Sequence, residues 1–441
     1  MNLLFRYFIL LFLSINAFSQ NIWEFSQNKN KIVIPFQLLN NSIIVQPKVN
    51  DIQLNLILDT GSGYNILFAF PEKDSIAFYN TSKIKITGPG MDEPIDAYVS
   101  KDNTIKFKNI SSKKLDVILM LEDQYSFTTS MGIPIHGILG ADFFTDNIVE
   151  IQYEAKRIIV YRKETKRLQN KILNYKKLPF NIKEKKPYIP VTINIEDKKI
   201  ENLELLVDTG LSDGLWIFEK ELDIQNKKYI NDYLGAGIGG NVYGKKVRFK
   251  NINFSDYEFK DPIISMPDTI SFLKKNILNQ RDGSVGGEIL KRFSVIFNYN
   301  KKIMYLNENG NFNNKFYYNM SGFDIRHNGV EIVEEKTNSY DSISSRNVVN
   351  FINSSEHINS SIKYVVKPGI EISNVRKNSV ADKAGLKVED RIISINGRKA
   401  ASYQLTEILE ILQKKADETI IVEIERKGKR IIVELFLQQE I

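Results

Sequence analysis

An Asp-Thr-Gly tripeptide occurs twice in this sequence, each time directly after an apolar run. The two aspartates are Asp59, which follows residues 56–58, and Asp208, which follows residues 205–207. Two carboxylates held about 3 Å apart cannot both ionise cheaply, so such a pair holds one proton between its members. The ionised member can deprotonate a water while the protonated member donates to the carbonyl oxygen of a peptide bond. The pair therefore predicts peptide hydrolysis with Asp59 and Asp208 as the catalytic residues.

The residues beside each aspartate suit the support of such a pair. Glycine permits a tight turn whose amides approach the carboxylate, and each threonine could hydrogen-bond the opposite loop. The predicted supporting residues are Thr60, Gly61, Ser62, Thr209 and Gly210. Leu211 stands where the first copy has Ser62, and its side chain cannot donate to Asp208. We therefore expect the second copy to be the weaker half of the site.

The composition excludes several other chemistries. The chain of 441 residues has no cysteine, so disulfides, thiol catalysis and Cys-ligated metal sites are excluded. Its three histidines, His136, His327 and His357, form no close pair, which argues against a histidine metal site. The net charge is +7 without a dense basic cluster, so no nucleic acid partner is expected. We predict no cofactor and no metal.

The first 19 residues have the composition of a secretory signal peptide. A basic residue, Arg6, precedes a short apolar run, and residues 17–19 offer small side chains at the two positions that signal peptidase reads. The alternative is an uncleaved membrane anchor, but the apolar run is short for a membrane span. Residues 1–19 are therefore predicted to be removed. This leaves an exported protein, periplasmic or secreted, without a transmembrane span.

The stretch from 31 to 161 and the stretch from 178 to 306 carry the same series of signals. Strand patterns, the Asp-Thr-Gly tripeptide, a glycine-rich hairpin tip and an apolar-glycine segment recur at a nearly constant offset. Such an internal duplication predicts two related all-β lobes, joined by the basic segment 162–177. It also disfavours the alternative in which Asp59 and Asp208 merely cap turns.

A third pattern follows an Asn-rich linker at 307–319. Alternating strands, a short helix at 379–386 and apolar residues at helical spacing in 405–413 predict an α+β domain over 320–438. Within this domain, the Ser- and Asn-rich segment at about 337–361 is predicted to be a disordered insertion. The whole chain is thus predicted to be mainly β, with two related lobes followed by this domain.

The paired tripeptides, each with its downstream apolar-glycine signal, resemble the pepsin and retropepsin superfamily of aspartic proteases. The segment 138–144, Ile-Leu-Gly-Ala-Asp-Phe-Phe, looks more like the retroviral type than the pepsin type. The arrangement is similar to bacterial retropepsin-like proteins with two fused lobes. The resemblance covers 31–306 and implies retropepsin-like acid-protease lobes, a cleft between them for a polypeptide substrate, and flaps over that substrate. The implied flap residues are Gly88, Gly90, Gly237, Ile238, Gly239 and Gly240.

The region 320–438 resembles a PDZ domain. Residues 379–386 and 390–397 match the most recognisable part of bacterial PDZ domains, and residues 322–325 match the carboxylate-binding loop that enters the peptide-pairing strand. Such a domain adds a peptide as an extra strand and captures its terminal carboxylate on loop amides. The partner implied by the resemblance is a peptide C-terminus or an internal segment. The implied peptide-binding residues are Gly322, Phe323, Asp324 and Ile325.

Two functions remain open from the sequence. The first is an aspartic endopeptidase, active as a monomer, that activates water between Asp59 and Asp208 and uses the PDZ domain for peptide recruitment or regulation. The second is a catalytically inactive protease-like scaffold that acts as an exported PDZ peptide-binding module. Leu211 is the feature that most favours the second function. The separation of the two carboxylates decides whether they can share a proton.

Overall fold

The structure is a computed structural model, and it describes residues 22–26, 29–68, 76–86, 94–120, 130–218, 222, 224–237, 240–268, 281–338 and 360–441. For 334–338 and 360–363 the description is of the backbone alone. The predicted signal peptide, 1–19, and the flap candidates Gly88, Gly90, Ile238 and Gly239 lie outside the described residues. Among the described helices, none is long and apolar enough to span a membrane.

The first lobe is built on an 11-stranded sheet with Asp59 at the end of an inner strand. The strands up to Tyr161 are β1 (Glu24–Phe25), β2 (Lys31–Pro35), β3 (Gln37–Leu39), β4 (Ser42–Val45), β5 (Lys48–Val49), β6 (Ile52–Gln53), β7 (Leu56–Leu58), β8 (Asn65–Leu67), β9 (Thr81–Ile86), β10 (Ile95–Phe107), β11 (Ile110–Leu119), β12 (Gly137–Leu139), β13 (Ile148–Gln152) and β14 (Arg157–Tyr161), with helix α1 (Asp142–Thr145) after β12. The main path of the sheet is β3-β4-β7-β12-β8-β11-β10-β5-β6, with β1 beside β11 and β9 beside β10. The apolar strand β7 is buried throughout and leads directly to Asp59.

The second lobe repeats this plan on a 10-stranded sheet. Its elements are helix α2 (Lys166–Ile172), strands β15 (Lys176–Pro179), β16 (Asn181–Lys183), β17 (Lys186–Ile195), β18 (Lys198–Val207), β19 (Leu215–Ile217), β20 (Tyr229–Gly237), β21 (Gly240–Arg248), β22 (Asn251–Phe254), β23 (Tyr257–Lys260), β24 (Ile263–Pro267), β25 (Gly283–Val285), β26 (Phe293–Asn298) and β27 (Ile303–Glu308), and helix α3 (Gly287–Leu290). The main path is β20-β21-β24-β19-β25-β18-β17-β22-β23, with β16 beside β17. Strand β18 runs parallel to β25 as β7 runs parallel to β12. Asp208 therefore has the position in this lobe that Asp59 has in the first.

A six-stranded sheet in the order β15-β27-β26-β13-β14-β2 joins the two lobes. Strand β13 of the first lobe pairs antiparallel with β26 of the second, from Ile148 opposite Asn298 to Gln152 opposite Ser294. The rings of Phe144 and Phe297, one from each lobe, meet edge to face with centroids 5.3 Å apart within one continuous apolar core. This shared sheet and core fix the lobes relative to each other, which is the condition for two aspartates from different lobes to meet.

The C-terminal domain is a smaller six-stranded sheet with helices packed against it. Its elements are β28 (Phe323–Asn338), β29 (Ser360–Val375), α4 (Val380–Lys383), β30 (Arg391–Ile395), β31 (Arg398–Lys399), a 3-10 turn (Ala400–Ser402), α5 (Leu405–Lys414), β32 (Glu418–Arg426) and β33 (Lys429–Leu437). The sheet order is β28-β29-β30-β32-β33, with β31 beside β30. Helix α5 buries its apolar residues Leu405, Ile408 and Leu412, as their helical spacing predicts.

The segment predicted to be a disordered insertion, 337–361, is entered and left by strands. Strands β28 and β29 pair as one long antiparallel hairpin that extends to Asn338 opposite Ser360. The polar composition of these ends does not prevent pairing, because the hydrogen bonds of a strand ladder use main-chain groups that nearly every residue carries. Residues 339–359 lie outside the described residues, so their disorder stays a prediction.

The C-terminal domain shares a buried cluster with the second lobe. Ile230 of β20 belongs to the same apolar cluster as Phe323 of β28. The buried guanidinium of Arg376 donates to the carbonyl of Asn319 at 3.1 Å and lies 3.5 Å from the carboxylate of Asp232, also in β20. The domain is therefore attached to the hairpin that β20 and β21 form.

Candidate active site

The two Asp-Thr-Gly loops begin at equivalent points of the two lobes. The amide of Asp59 donates to the carbonyl of Leu139 in β12 at 3.0 Å, and the amide of Asp208 donates to the carbonyl of Val285 in β25 at 2.9 Å. The strands that lead to both loops end in buried apolar residues. Each aspartate therefore follows directly after a rigid, buried strand, and the end of that strand fixes its position.

The threonines of the two loops bond across the lobe boundary. The Thr60 amide donates to Thr209 Oγ1 at 3.0 Å, and the Thr209 amide donates to Thr60 Oγ1 at 3.1 Å. Each hydroxyl then donates to a carbonyl of the opposite lobe, Thr60 to Val207 at 2.7 Å and Thr209 to Leu58 at 2.8 Å. Both threonines are fully buried. These reciprocal bonds hold the two loops face to face.

The glycines of the two loops let each aspartate cross to the other lobe. A Cβ atom added to Gly61 would lie 2.5 Å from Asp208 Cγ, and a Cβ atom added to Gly210 would lie 2.6 Å from Asp59 Cγ. Both distances are far below any contact that a real Cβ makes. Each carboxylate therefore lies against the glycine of the opposite loop, so the two carboxylates are side by side.

Main-chain amides support both carboxylates. The Gly61 amide donates to Asp59 Oδ1 at 2.6 Å, and the amides of Gly210 and Leu211 each donate to Asp208 Oδ1 at 3.0 Å. The Ser62 hydroxyl donates instead to the carbonyl of Tyr64 at 2.7 Å, so its support of Asp59 is not the side-chain bond that we expected. Leucine at position 211 supplies the amide that the site uses, since every residue except proline carries one.

The electrostatics of the pair favour one shared proton. Burial, followed by the charge of Asp208 and a hydrogen bond with its carboxyl group, raises the pKa of Asp59 well above its ordinary value. A hydrogen bond between two carboxyl groups requires a proton on one of them. Because the groups interact strongly, the acidities belong to the pair rather than to either residue. One carboxyl can therefore accept a proton while the other donates one.

Both aspartates open into a cavity of about 920 Å³. The hairpin of β20 and β21 lines it through residues 232–237 and 241–243, and Gly237 pairs with Gly240 across the end of this hairpin. The second lobe therefore has a hairpin at the predicted flap position. In the first lobe β9 and β10 form a hairpin that brackets Gly88 and Gly90, with Ile86 opposite Ile95, yet none of the described residues of β9 or β10 lines the cavity.

The predicted peptide-binding strand of the C-terminal domain opens into the same cavity. Asp324 and Ile325 of β28 line it together with Thr406 and Leu409 of α5. Among the described strands, β28 has β29 as its single neighbour, so its other edge is open to pairing with a further strand. The cleft that holds the two aspartates and the open edge of β28 are thus parts of one continuous cavity.

Two main-chain amides in and next to the loop before β28 already donate hydrogen bonds to side chains of the same segment. The Ser321 amide donates to Asn319 Oδ1 at 3.1 Å, and the Phe323 amide donates to the Ser321 hydroxyl at 3.4 Å. Gly322 has φ +77, and a Cβ atom there would lie 2.1 Å from the Ser379 Cβ. Amides engaged in this way are less available to a terminal carboxylate than we expected.

Sequence reasoning missed an arginine in the cleft and two polar contacts between the lobes. Arg281 lines the cavity that holds both aspartates. Lys185 of the second lobe donates to Asp142 of the first at 2.7 Å, and Asn41 of the first donates to Glu288 of the second at 3.0 Å. No local pattern marks these residues, because long-range pairing of strands brings them together.

Comparison with known proteins identifies one domain. Residues 371–426 match the family model of the PDZ domain, which confirms the PDZ prediction for that region. No curated protein sequence matches the chain.

Among solved structures, the chain is similar to an aspartic proteinase from Irpex lacteus at 12% identity, over 64% of this chain and 98% of that one, with a TM-score of 0.40. It is also similar to basic 7S globulin from soybean (9% identity, 63% and 94% of the chains, TM-score 0.39) and to conglutin gamma, a basic 7S globulin from lupine seeds (12% identity, 64% and 95%, TM-score 0.40). The predicted fold class is confirmed in its outline: the chain is mainly β, with two related lobes followed by a PDZ domain.

Proposed function

We propose that this chain is an aspartic endopeptidase that hydrolyses peptide bonds with water activated between Asp59 and Asp208. The observation that carries the proposal is the approach of each aspartate to the glycine of the opposite loop, under the reciprocal bonds of Thr60 and Thr209. It sets carboxyl groups from two lobes side by side in a cavity whose size suits a bound peptide segment.

The chemistry needs no group beyond the pair and a water. The ionised carboxyl takes a proton from the water as its oxygen attacks the peptide carbon, and the protonated carboxyl donates to the carbonyl oxygen. This produces a tetrahedral diol and leaves the pair with one proton, now on the other member. Proton transfer to the nitrogen and cleavage of the carbon–nitrogen bond then release an amine and a carboxylic acid. The water has been added across the peptide bond, and the pair returns to its starting state.

The variants Asp59→Asn and Asp208→Asn test the proposal. Each removes one member of the acid–base pair, so kcat toward an unfolded polypeptide should fall by at least about 10²-fold. Hydrolysis by the unchanged chain should be blocked by a statine-type inhibitor. Glu184→Gln is the matched control, because Glu184 lines the same cavity outside the pair and its loss should leave kcat within a few-fold. Wild-type rates in either aspartate variant would refute the proposed mechanism.

We further propose that the PDZ domain recruits substrate through the groove beside β28, and that residues 1–19 direct export. The continuity of this groove with the catalytic cavity supports recruitment. N-terminal sequencing of the exported chain tests removal of residues 1–19. Peptide binding by the whole chain without proteolysis over a wide pH range would instead support the alternative function, an inactive scaffold that presents a PDZ module.

A further inference from the structure

One cation in the catalytic cavity stands apart from the others in its pairing. The described cations that line the cavity are Lys186, Lys246, Arg281, Lys291, Arg326 and Lys414. All except Arg281 lie within salt-bridge distance of a carboxylate, and these partners are, in the same order, Glu184, Asp232, Glu288, Glu371 and Glu410. Within the described part of the chain, Arg281 has no ion pair. The segment that precedes it, 269–280, contains no Asp or Glu.

The guanidinium of Arg281 is also short of hydrogen-bond partners. Its Nε is buried and has no partner among the described residues, and its nearest ring contact is with Phe218, at 6.0 Å from the ring centroid. Burial lowers the pKa of Arg281, against the opposing effect of the charges on Asp208 and Asp59. A buried cation without a partner is costly for folding. A titratable group with a perturbed pKa that lines a cleft is a candidate for a functional site.

The backbone holds this arginine at the cavity wall. The carboxylate of its neighbour, Asp282, accepts a hydrogen bond from the Glu204 amide of β18 at 2.9 Å. The Asp282 carbonyl accepts from the Phe218 amide at 3.0 Å, and its amide donates to the Glu204 carbonyl at 2.9 Å. Asp282 is thus bound into the sheet and directs its carboxylate to the strand backbone. The position of Arg281 is fixed by these bonds rather than by its own side chain.

We propose that Arg281 forms a subsite beside the two aspartates that binds a carboxylate of the substrate, carried by an acidic side chain close to the scissile bond. This inference rests on the proposed function and specifies its substrate class. Arginine presents several donors in a planar fork that matches a carboxylate, and the buried Nε gains the partner that it lacks. The same chemistry could come from a chain-terminal carboxylate, so the test separates the two sources.

The test uses peptide pairs that differ by Glu or Gln at one position near the cleaved bond, each made with a free and an amidated C-terminus. At pH 6 the Glu side chain is ionised. We expect kcat/KM to favour one Glu peptide by about tenfold to hundredfold, the range for a hydrogen bond to a charged group. In Arg281→Gln this ratio should fall to near one. A preference that follows the free C-terminus instead would overturn the side-chain assignment.

A control and a rival outcome sharpen this experiment. Lys186→Gln removes a cation from the same cavity that is already paired with Glu184, so the preference for the Glu peptide should survive. If Arg281 instead served only to adjust the acidity of the two aspartates, Arg281→Gln would slow the Glu and Gln peptides equally and displace the pH profile for both. That result would overturn the proposal.

A binding measurement keeps this inference separate from the proposed function. Peptides with a noncleavable hydroxyethylene unit in place of the scissile bond need no hydrolysis, so their affinity can be measured by calorimetry even if the chain cleaves nothing. The Glu form should bind the unchanged chain about tenfold more tightly than the Gln form, and Arg281→Gln should lose that difference. The variant should melt no lower than the unchanged chain, because it removes a partly buried charge that has no ion pair among the described residues. Equal affinities in the unchanged chain would refute the subsite.

Discussion

Each aspartate of the pair is held by the amides of its own loop and lies against the glycine of the opposite loop. This explains why Leu211 is tolerated beside Asp208: the carboxylate accepts from its amide, at 3.0 Å, and needs nothing from its side chain. The Ser62 hydroxyl donates its hydrogen bond to the carbonyl of Tyr64 and not to Asp59. The two copies therefore differ in their side chains at this position, but they differ much less in the hydrogen bonds that reach the carboxylates.

The raised pKa of Asp59 predicts how stability depends on pH. In the folded chain the pair keeps one proton at pH values where Asp59 of the unfolded chain, with its ordinary pKa of 3.8, has released it. The contribution of this titration to the free energy of unfolding is therefore fully present below pH 3.8, the unfolded pKa, and is lost as pH rises through the folded pKa. Asp59→Asn carries no charge, so it should melt at a higher temperature than the unchanged chain at pH 7.

Thermal unfolding at two pH values checks this expectation. The advantage of Asp59→Asn should shrink toward pH 4, where the unchanged chain also holds the proton. Asp51→Asn, an exposed substitution, should change stability by no more than about 0.5 kcal/mol. If the melting temperature of Asp59→Asn did not rise at pH 7, or rose equally at both pH values, the charge of the pair would not be what destabilises the folded chain.

Elements, rather than single residues, bring the two halves of the site together. Strands β7 and β18 end at equivalent places because each runs parallel to a short strand, β12 or β25, of its own lobe. The six-stranded sheet then joins the lobes, and the threonine loops complete the contact. The hairpin of β20 and β21 lines one side of the cavity and also carries the C-terminal domain, so this hairpin and the open edge of β28 belong to one connected unit.

The threonine bonds between the loops predict a measurable coupling. Thr60→Val keeps the shape of the side chain but leaves the Thr209 amide and the Val207 carbonyl without their partner. Each unsatisfied buried group costs about 1–3 kcal/mol, so Thr60→Val and Thr209→Val should both destabilise the chain and reduce hydrolysis.

A double-mutant cycle measures that coupling by chemical unfolding. The double variant should lose less than the sum of the single variants, because each threonine acts through the other. Thr192→Val in β17 is the control, since this half-buried threonine stands outside the network and its substitution should cost under about 1 kcal/mol. Additive losses would contradict the reciprocal arrangement.

At the scale of the whole molecule, one cavity serves the two aspartates and the PDZ groove. Under the proposed function, a polypeptide that pairs with β28 is held next to the two aspartates, so its later binding between them becomes intramolecular. Short peptides that fill the cleft alone gain nothing from the groove. Recruitment should therefore depend on the length of the substrate.

Leu409→Asp tests this dependence. It places a charge in the apolar wall of the groove, on α5, so kcat/KM for a long unfolded polypeptide should fall by about 10²-fold while a short peptide is cleaved as before. Ile432→Asp, at an exposed position of β33, is the control and should affect neither substrate. Equal losses for the long and short substrates would argue against recruitment through the groove.

Many features of this protein can be predicted from the sequence, because the residue patterns that indicate them are local. An apolar run followed by Asp-Thr-Gly identifies Asp59 and Asp208, and its repetition predicts two lobes. A short strand and tight turn at 390–397 identify the PDZ domain. The ends of the polar segment at 337–361 carry no local signal of a strand, because the ladder of β28 and β29 extends into residues whose composition gives no sign of pairing.

Other features depend on contacts between residues far apart in the chain. The crossing of each aspartate to the opposite glycine requires the sheet shared by the lobes, and the support from Leu211 depends on a backbone amide that any side chain could accompany. Arg281 reaches the cavity because β25 lies beside β18. The sequence alone determined which residues could do the chemistry, since types and spacing are local; the tertiary structure decided which of them meet, since meeting is a property of long-range pairing.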